Sequence, residues 1–270
     1  MSQLTNAIRS LGSRFWSRSQ TSQRQTQPFH AGTPDRKPGR DAYADQRALV
    51  RSDGPTVIFD VGANVGNTVQ RYRELFPDGI IHAFEPDPAT FARLEARFHG
   101  DSRVHPTRAV VSDFTGTKRF HVNGDPATSS LLPRPRSGRR YYNRRGVTVA
   151  EIDVPSTSLD DFCLAHRIDH IEVLKLDVQG GELLTLEGAT RLLSRTAVTL
   201  IYSEVEFIAL YEGQPLFHDI CRFLEGFQYS LYGIYDLVIA ANGQLRFANA
   251  VFIPPRVREE SLDRFEPEPY

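Results

Sequence analysis

The stretch VIFDVGANVGNT, residues 57–68, constrains the fold more than any other part of the chain. Val57, Ile58 and Phe59 make a short, β-rich apolar run after Gly54 and Pro55. That is the pattern of a strand buried on both faces. The run ends in Asp60. Gly62-Ala63-Asn64-Val65-Gly66-Asn67-Thr68 must then turn sharply into TVQRYRELF, where Val69, Tyr72, Leu75 and Phe76 recur at helical spacing. Glycines there permit positive φ and leave the backbone open to close approach. Strand, Gly-rich turn and helix form a module that binds a cofactor at the carboxyl end of a central parallel strand.

The cofactor follows from the charges around the turn. A dinucleotide fingerprint reads G-x-G-x-x-G and seats a pyrophosphate on the helix N-terminus. This chain reads D-x-G-x-N-x-G instead, with the carboxylate of Asp60 before the first glycine. That carboxylate suits an ammonium or sulfonium and repels a phosphate. The next strand, in GIIHAFEPDP, ends in Glu85, nineteen residues past Gly66, where an acidic side chain accepts from both ribose hydroxyls. A cationic nucleoside, S-adenosylmethionine, is the expected ligand, with Asp60, Gly62, Asn64, Gly66 and Glu85 around it.

A second strand carries a carboxylate to the same crevice. Ile171 to Leu176 reads as a buried strand running into Lys175-Leu176-Asp177-Val178, a Gly180-Gly181 turn and a helix with Leu183, Leu186 and Leu193. Ligand sites in open α/β sheets gather outside the carboxyl ends of the strands, so Asp177 is expected to face the cofactor.

The motifs DVGANVGNT, HAFEPDP, AVVSDFTGT, SLDDF, KLDVQGGELLTLEGA and IYSEVE, in this order and spacing, resemble the FkbM-type methyltransferase family from about Pro55 to Pro255. The resemblance implies an α/β fold built on a Rossmann-like seven-stranded class I methyltransferase sheet, mostly parallel with one antiparallel strand and helices on both faces. It also implies S-adenosylmethionine as donor and a hydroxyl of a sugar, glycan or natural product as acceptor. Ser129 and Ser130 line the acceptor side by resemblance alone. The family usually has Glu where this chain has Gln179, which questions any role needing a charge there.

The remaining strands and helices read more coarsely. A strand is expected near Val104 to Val111, with a hairpin strand near Thr117 to Val122. Another runs from Val147 to Val154, followed by a helix around Leu159 to Ala165. The sheet closes with a strand from Val198 to Glu204, a helix near Leu216 to Leu224, and strands near Tyr229 to Tyr235 and Ala248 to Ile253. The ANGQ turn signal between the last two makes them antiparallel.

Composition bounds the rest. With 40% hydrophobic and 24% charged residues, the 270-residue chain is ordinary for one α/β domain, expected over residues 51–256, with tails at 1–50 and 257–270. A net charge of −1 gives no whole-chain field for nucleic acid. No apolar run is long enough to span a membrane and no secretory signal core is present, so a cytoplasmic or membrane-peripheral location is expected. Cys163 and Cys221 are far apart, which indicates neither a zinc site nor a disulfide framework.

The first 40 residues carry seven basic side chains against one acid, Asp35, in a Ser/Gln-rich background typical of disorder. Leu4, Ile8, Leu11 and Phe15 recur there at helical spacing, a pattern open to a frayed helix, an interfacial or partner-docking helix, or an organellar transit peptide. The Arg- and Tyr-rich run RPRSGRRYYNRR, residues 134–145, reads either as a solvated loop or as a contact for an anionic or glycosidic acceptor. The final EESLDRFEPEPY is expected to be flexible.

Methyl transfer to a hydroxyl asks for alignment and a proton acceptor. Asp177 is the first choice of base, and an orienting or helix-capping Asp is its plain alternative. Glu182, Glu204 and His82 are further choices, and Glu182 is also expected to contact the substrate. Glu204 and Glu206 share one strand face and can hold acceptor hydroxyls. Lys175 either stabilises an alkoxide or pairs with Asp177. Asp113 either reaches the adenine amino group or forms a turn. His82 reads as a core histidine. His166 and His170 in HRIDH lack a third metal ligand in sequence. A cofactor-binding protein without catalysis and an NAD-type oxidoreductase remain as alternatives, and the oligomeric state leaves no mark.

Overall fold

The computed structural model describes residues 41–51, 54–135 and 146–262. In chain order the elements are α1 (Ala42–Leu49), β1 (Val57–Val61), α2 (Asn67–Leu75), β2 (Ile80–Phe84), α3 (Pro88–Arg97), β3 (Val104–Thr107), β4 (Val110–Val111), β5 (Gly116–Asn123) and β6 (Thr148–Thr157). They continue with α4 (Leu159–His166), β7 (Val173–Leu176), α5 (Glu182–Glu187), α6 (Thr190–Ser194), β8 (Ile201–Glu206), α7 (Phe217–Glu225), β9 (Ser230–Ile239), β10 (Leu245–Ile253) and α8 (Pro255–Ser261). Local chemistry sets several boundaries. The Asp87 carboxylate accepts from Thr90 N at 2.8 Å with Pro88 in the first turn, which starts α3. Ser158 caps α4 in the same way.

Seven strands form one sheet in the order β3-β2-β1-β7-β8-β10-β9. β10 runs antiparallel to both of its neighbours, β8 and β9, and the other pairings are parallel. The expected antiparallel pair at the chain's end is therefore present, with β10 inserted inside β9. Because strands alternate faces, Ile58 and Val173 pack with Tyr72 of α2 and Leu94 of α3 on one side. Phe59, Leu174 and Ile201 pack with residues of α4, α5 and α7 on the other. Helices thus cover both faces. The strand order reverses between β1 and β7, which opens a crevice at their carboxyl ends.

The stretch expected as one strand from Val104 to Val111 is broken. β3 ends the main sheet at its edge, where Pro106 lacks an N–H for a further neighbour. β4 leaves it for a second, three-stranded sheet of order β4-β6-β5. The hairpin partner of β5 is accordingly β6, paired antiparallel from Gly116↔Ser156 to Asn123↔Thr148.

The packed body also extends past both expected boundaries. Before residue 51, α1 packs the Tyr43 ring at a tilt against Tyr72 and edge-on against Tyr202, each at 5.6 Å between centroids. Its Gln46 accepts from the Tyr72 hydroxyl at 2.9 Å, and its Asp45 accepts from the Tyr235 hydroxyl at 2.8 Å. Beyond residue 256, α8 buries Val257. The amphipathic pattern from Leu4 to Phe15, residues 136–145 of the arginine-rich run and residues 263–270 lie outside the described residues. Among the described residues, no helix is long and apolar enough to cross a membrane.

Candidate active site

The Gly-rich turn after β1 is fixed by its own backbone. Gly62 N and Ala63 N donate to the Phe84 carbonyl at 3.1 and 2.9 Å, and Gly62 and Gly66 sit at φ +81° and +82°. A Cβ on Gly62 would lie 1.9 Å from the Asp177 carbonyl oxygen, and one on Gly66 would lie 2.3 Å from the Phe98 ring. What rests on these glycines is the end of β7 and helix α3, so their missing side chains let the chain close on itself. The close approach expected for a ligand is used by protein.

Asp60 departs from its expected role. It is fully buried, lies away from the cleft lining, and contacts Lys175 Nζ through Oδ1 at 2.8 Å. The parallel register that sets Asp60 beside Lys175 brings the two together. Lys175 also donates to the Gly62 carbonyl at 2.8 Å. Burial lowers the affinity of Lys175 for its proton, and Asp60 and Asp177 more than reverse this, so the net direction is upward and the ammonium stays charged. With Lys175 only 4% exposed, it braces the turn and is withdrawn from the alkoxide role. Asp177 lies farther off, at 3.9 Å.

The cleft beside this pair is bounded by Gly62, Asn64 and Glu85 on one side and by Asp177, Val178 and Gln179 on the other. Val110, Val111, Phe120 and Leu131 make its apolar wall, and Ser129 lines it too. Glu85 accepts from Asn64 N at 3.0 Å through Oε2 and from Asp87 N at 2.9 Å through Oε1. Burial is the largest influence on its carboxyl and pushes it up to about 7 despite those two donors. An apolar wall for a base and a carboxylate ending β2 for ribose hydroxyls fit S-adenosylmethionine.

The other expected site residues separate into two groups. Asp177 and Glu204 are brought together by Gln179, whose Nε2 donates to Asp177 Oδ1 at 3.0 Å and to Glu204 Oε2 at 2.8 Å. Glu206 lies near them; burial first, then Glu182 and Asp177, raise its carboxyl to about 9. Glu182 itself is committed to the turn, accepting from Val178 N and Gly180 N, each at 2.9 Å. That occupies both of its oxygens and corrects its assignment to substrate. Ser130 is fully buried and donates to the Gln179 carbonyl at 2.7 Å, which makes it a brace of the same turn. Asp113 is exposed, outside the cleft lining and paired with Lys118, so it does not reach a base in the cleft.

The histidines take core and surface positions. His82 stacks on His105 at 5.2 Å, and burial lowers its pKa to about 4. His166 bonds the Phe162 carbonyl and His170 the Thr199 hydroxyl, so HRIDH turns its two rings to different partners. Sequence reasoning missed Tyr211, whose hydroxyl lies 3.1 Å from Gln179 Oε1. Its only signal was its place in the loop after a carboxylate-ending strand.

A sheet of this strand order, with the reversed strand next to the edge and acidic residues at the carboxyl ends of β2 and β7, defines a class I S-adenosylmethionine-dependent methyltransferase. Residues 60–231 match the Methyltransferase FkbM domain family, and the chain belongs to it. It is 30% identical over 178 residues to the 2-O-methyltransferase NoeI of Sinorhizobium fredii, covering 64% of this chain and 72% of that protein. It is 30% identical over 154 residues to the 31-O-demethyl-FK506 methyltransferase FkbM of Streptomyces tacrolimicus, covering 49% and 58%. A match of 25% over 154 residues to the hexuronic acid methyltransferase AglP of Haloferax volcanii covers 57% and 58%. The chain thus spans less than two thirds of the last two relatives. S-adenosylmethionine is the methyl donor of this enzyme.

Proposed function

We propose that the enzyme is an O-methyltransferase acting on a hydroxyl of a sugar, glycan or natural product. The observation that carries this reading is the pairing of Asp177 and Glu204 at the rim of the donor cleft. An alcohol must lose a proton as its oxygen is alkylated, and a carboxylate beside the donor receives it. Bound in the cleft, S-adenosylmethionine supplies an electrophilic methyl group and a neutral thioether leaving group. The chain's task is to hold the ribose through Glu85, to align the acceptor oxygen and to exclude water. Asp177 takes the hydroxyl proton, and Glu204 and Glu206 accept hydrogen bonds from neighbouring hydroxyls of a polyhydroxylated acceptor. The names of the relatives NoeI, FkbM and AglP, which act on a 2-O position, a 31-O position and a hexuronic acid, support an oxygen acceptor.

Membership of a methyltransferase family sets the NAD-type alternative aside. The non-catalytic alternative rested on Gln179, and that side chain contacts both carboxylates where a charge was in question. Calorimetric titration with S-adenosylmethionine and its demethylated product, with NAD as control, comes first. A methyl-transfer screen over methyl glycosides with free hydroxyls follows. Asp177→Asn should leave the donor Kd within about threefold and lower turnover by about 10²–10⁴-fold. Loss of donor binding in Asp177→Asn, with turnover lost in Glu204→Gln alone, would overturn the assignment of the base.

A further inference from the structure

Gln179 joins the two carboxylates of that reading, and its geometry is unusual. Its backbone sits at φ +56°, a left-handed conformation that L side chains adopt at a cost. Its carbonyl accepts from Ser130 Oγ at 2.7 Å, which ties the residue to the segment bearing Ser129. Its amide oxygen lies 3.1 Å from the Tyr211 hydroxyl, and that hydroxyl reaches the Thr128 carbonyl at 2.7 Å and accepts from Arg134 at 2.8 Å. With the oxygen turned to a hydroxyl, the amide NH2 must face the opposite way. There it meets two carboxylates from two different strands, Asp177 at 3.0 Å and Glu204 at 2.8 Å.

An amide NH2 has two hydrogens and no charge. It can satisfy one oxygen on each carboxylate, and it cannot neutralise either of them. Two carboxylates held this close repel each other, and the N–H bonds they share offset that repulsion only in part. Resting on the assignment of Asp177 as base, we propose that Gln179 is the positioning residue that holds Asp177 and Glu204 together as one coupled pair, its two N–H bonds easing the ionisation of both.

The surroundings fix the direction. Lys175 stands 3.9 Å from Asp177 Oδ2 on the side away from Gln179. Burial first, then Asp177, Glu206 and Glu182, push the Glu204 carboxyl well above the usual carboxylate range, and Lys175 offsets this only in part. Tyr211 and Arg134 close the far side through the amide oxygen. Glu204 is therefore the member of the pair that holds its proton more tightly than an ordinary carboxyl group.

A carboxyl carbon-13 NMR titration of protein labelled at Asp and Glu tests this without an acceptor. Glu204→Gln assigns the Glu204 resonance, and the wild type should show it titrating above the usual carboxylate range. Gln179→Met removes the donors, and Gln179→Glu adds a third carboxylate at nearly the same shape. Both should raise the Glu204 midpoint, the second by about one pH unit or more. A midpoint unchanged in both variants, or a Glu204 that titrates in the ordinary carboxylate range, would overturn the coupling. The role of Asp177 as base is read separately, by turnover in Asp177→Asn, so either idea can fail alone.

Discussion

Donor binding should depend on pH through one carboxyl group, Glu85. Its pKa rises from an ordinary 4.5 to about 7 because burial disfavours the ion more than the Asn64 and Asp87 amides favour it. A difference of roughly 2.5 pH units is worth ~3 kcal/mol. For a raised carboxyl, the contribution to stability is fully present below 4.5 and is lost as pH rises through about 7, since the folded state binds the extra proton in that window. Ribose hydroxyls donate to the ionised form, so donor binding must expel the proton. Below about pH 7 the Kd for S-adenosylmethionine should weaken roughly tenfold per pH unit, reaching ~30-fold near pH 5.5, and it should level off above about pH 8. Calorimetry in two buffers of different ionisation heat should register proton release at about pH 6.5. Glu182 and Glu206 also titrate high nearby, so the difference between wild type and Glu85→Gln isolates the effect. The variant should bind ~10- to 100-fold more weakly at about pH 8, as expected for loss of a hydrogen bond to a charged group, and its pH profile should be flatter. A wild-type Kd that stays flat from about pH 5.5 to 8, with no proton release, would refute the reasoning.

The buried pair under the turn gives a second test: Lys175→Met or Asp60→Leu alone should cost ~3–5 kcal/mol in urea denaturation, because each strands a buried charge. The double variant should cost less than the sum of the two, and full additivity would show that the pair is not coupled. Gly62→Ala should abolish donor binding and lower Tm by several degrees, since its Cβ would meet the Asp177 carbonyl at 1.9 Å and its φ is +81°; a stable, donor-binding variant would show that the turn can yield.

What the sequence revealed of this enzyme is what local patterning encodes. The buried run Val57–Val61 reads as a strand because every residue but the first is hidden. Glu85 was found because a strand's end and a fixed spacing place it, and the closing hairpin because ANGQ is a turn. Asp60 was misread because its partner is a cross-strand neighbour more than a hundred residues away, and register is not written in either segment alone. Glu182 looked free for the same reason: the amides it accepts are exposed to it only once the Gly180-Gly181 turn has formed. The second sheet escaped notice because β4 is two residues long and most of β6 is not buried, which leaves no apolar alternation to read. Helix α1 was placed in the tail because the face it buries includes Asp45 and Gln46.

That helix has a consequence for how the protein is made. Asp45 receives its hydrogen bond from Tyr235, 190 residues further along the chain, on the last strand of the sheet in spatial order. During translation α1 leaves the ribosome well before the residues it docks against. At common elongation rates it waits roughly 10–40 s for that strand. Through that interval Tyr43 and Leu49 have only part of their eventual neighbours, so the amino-terminal turns of the domain are the first synthesised and among the last secured.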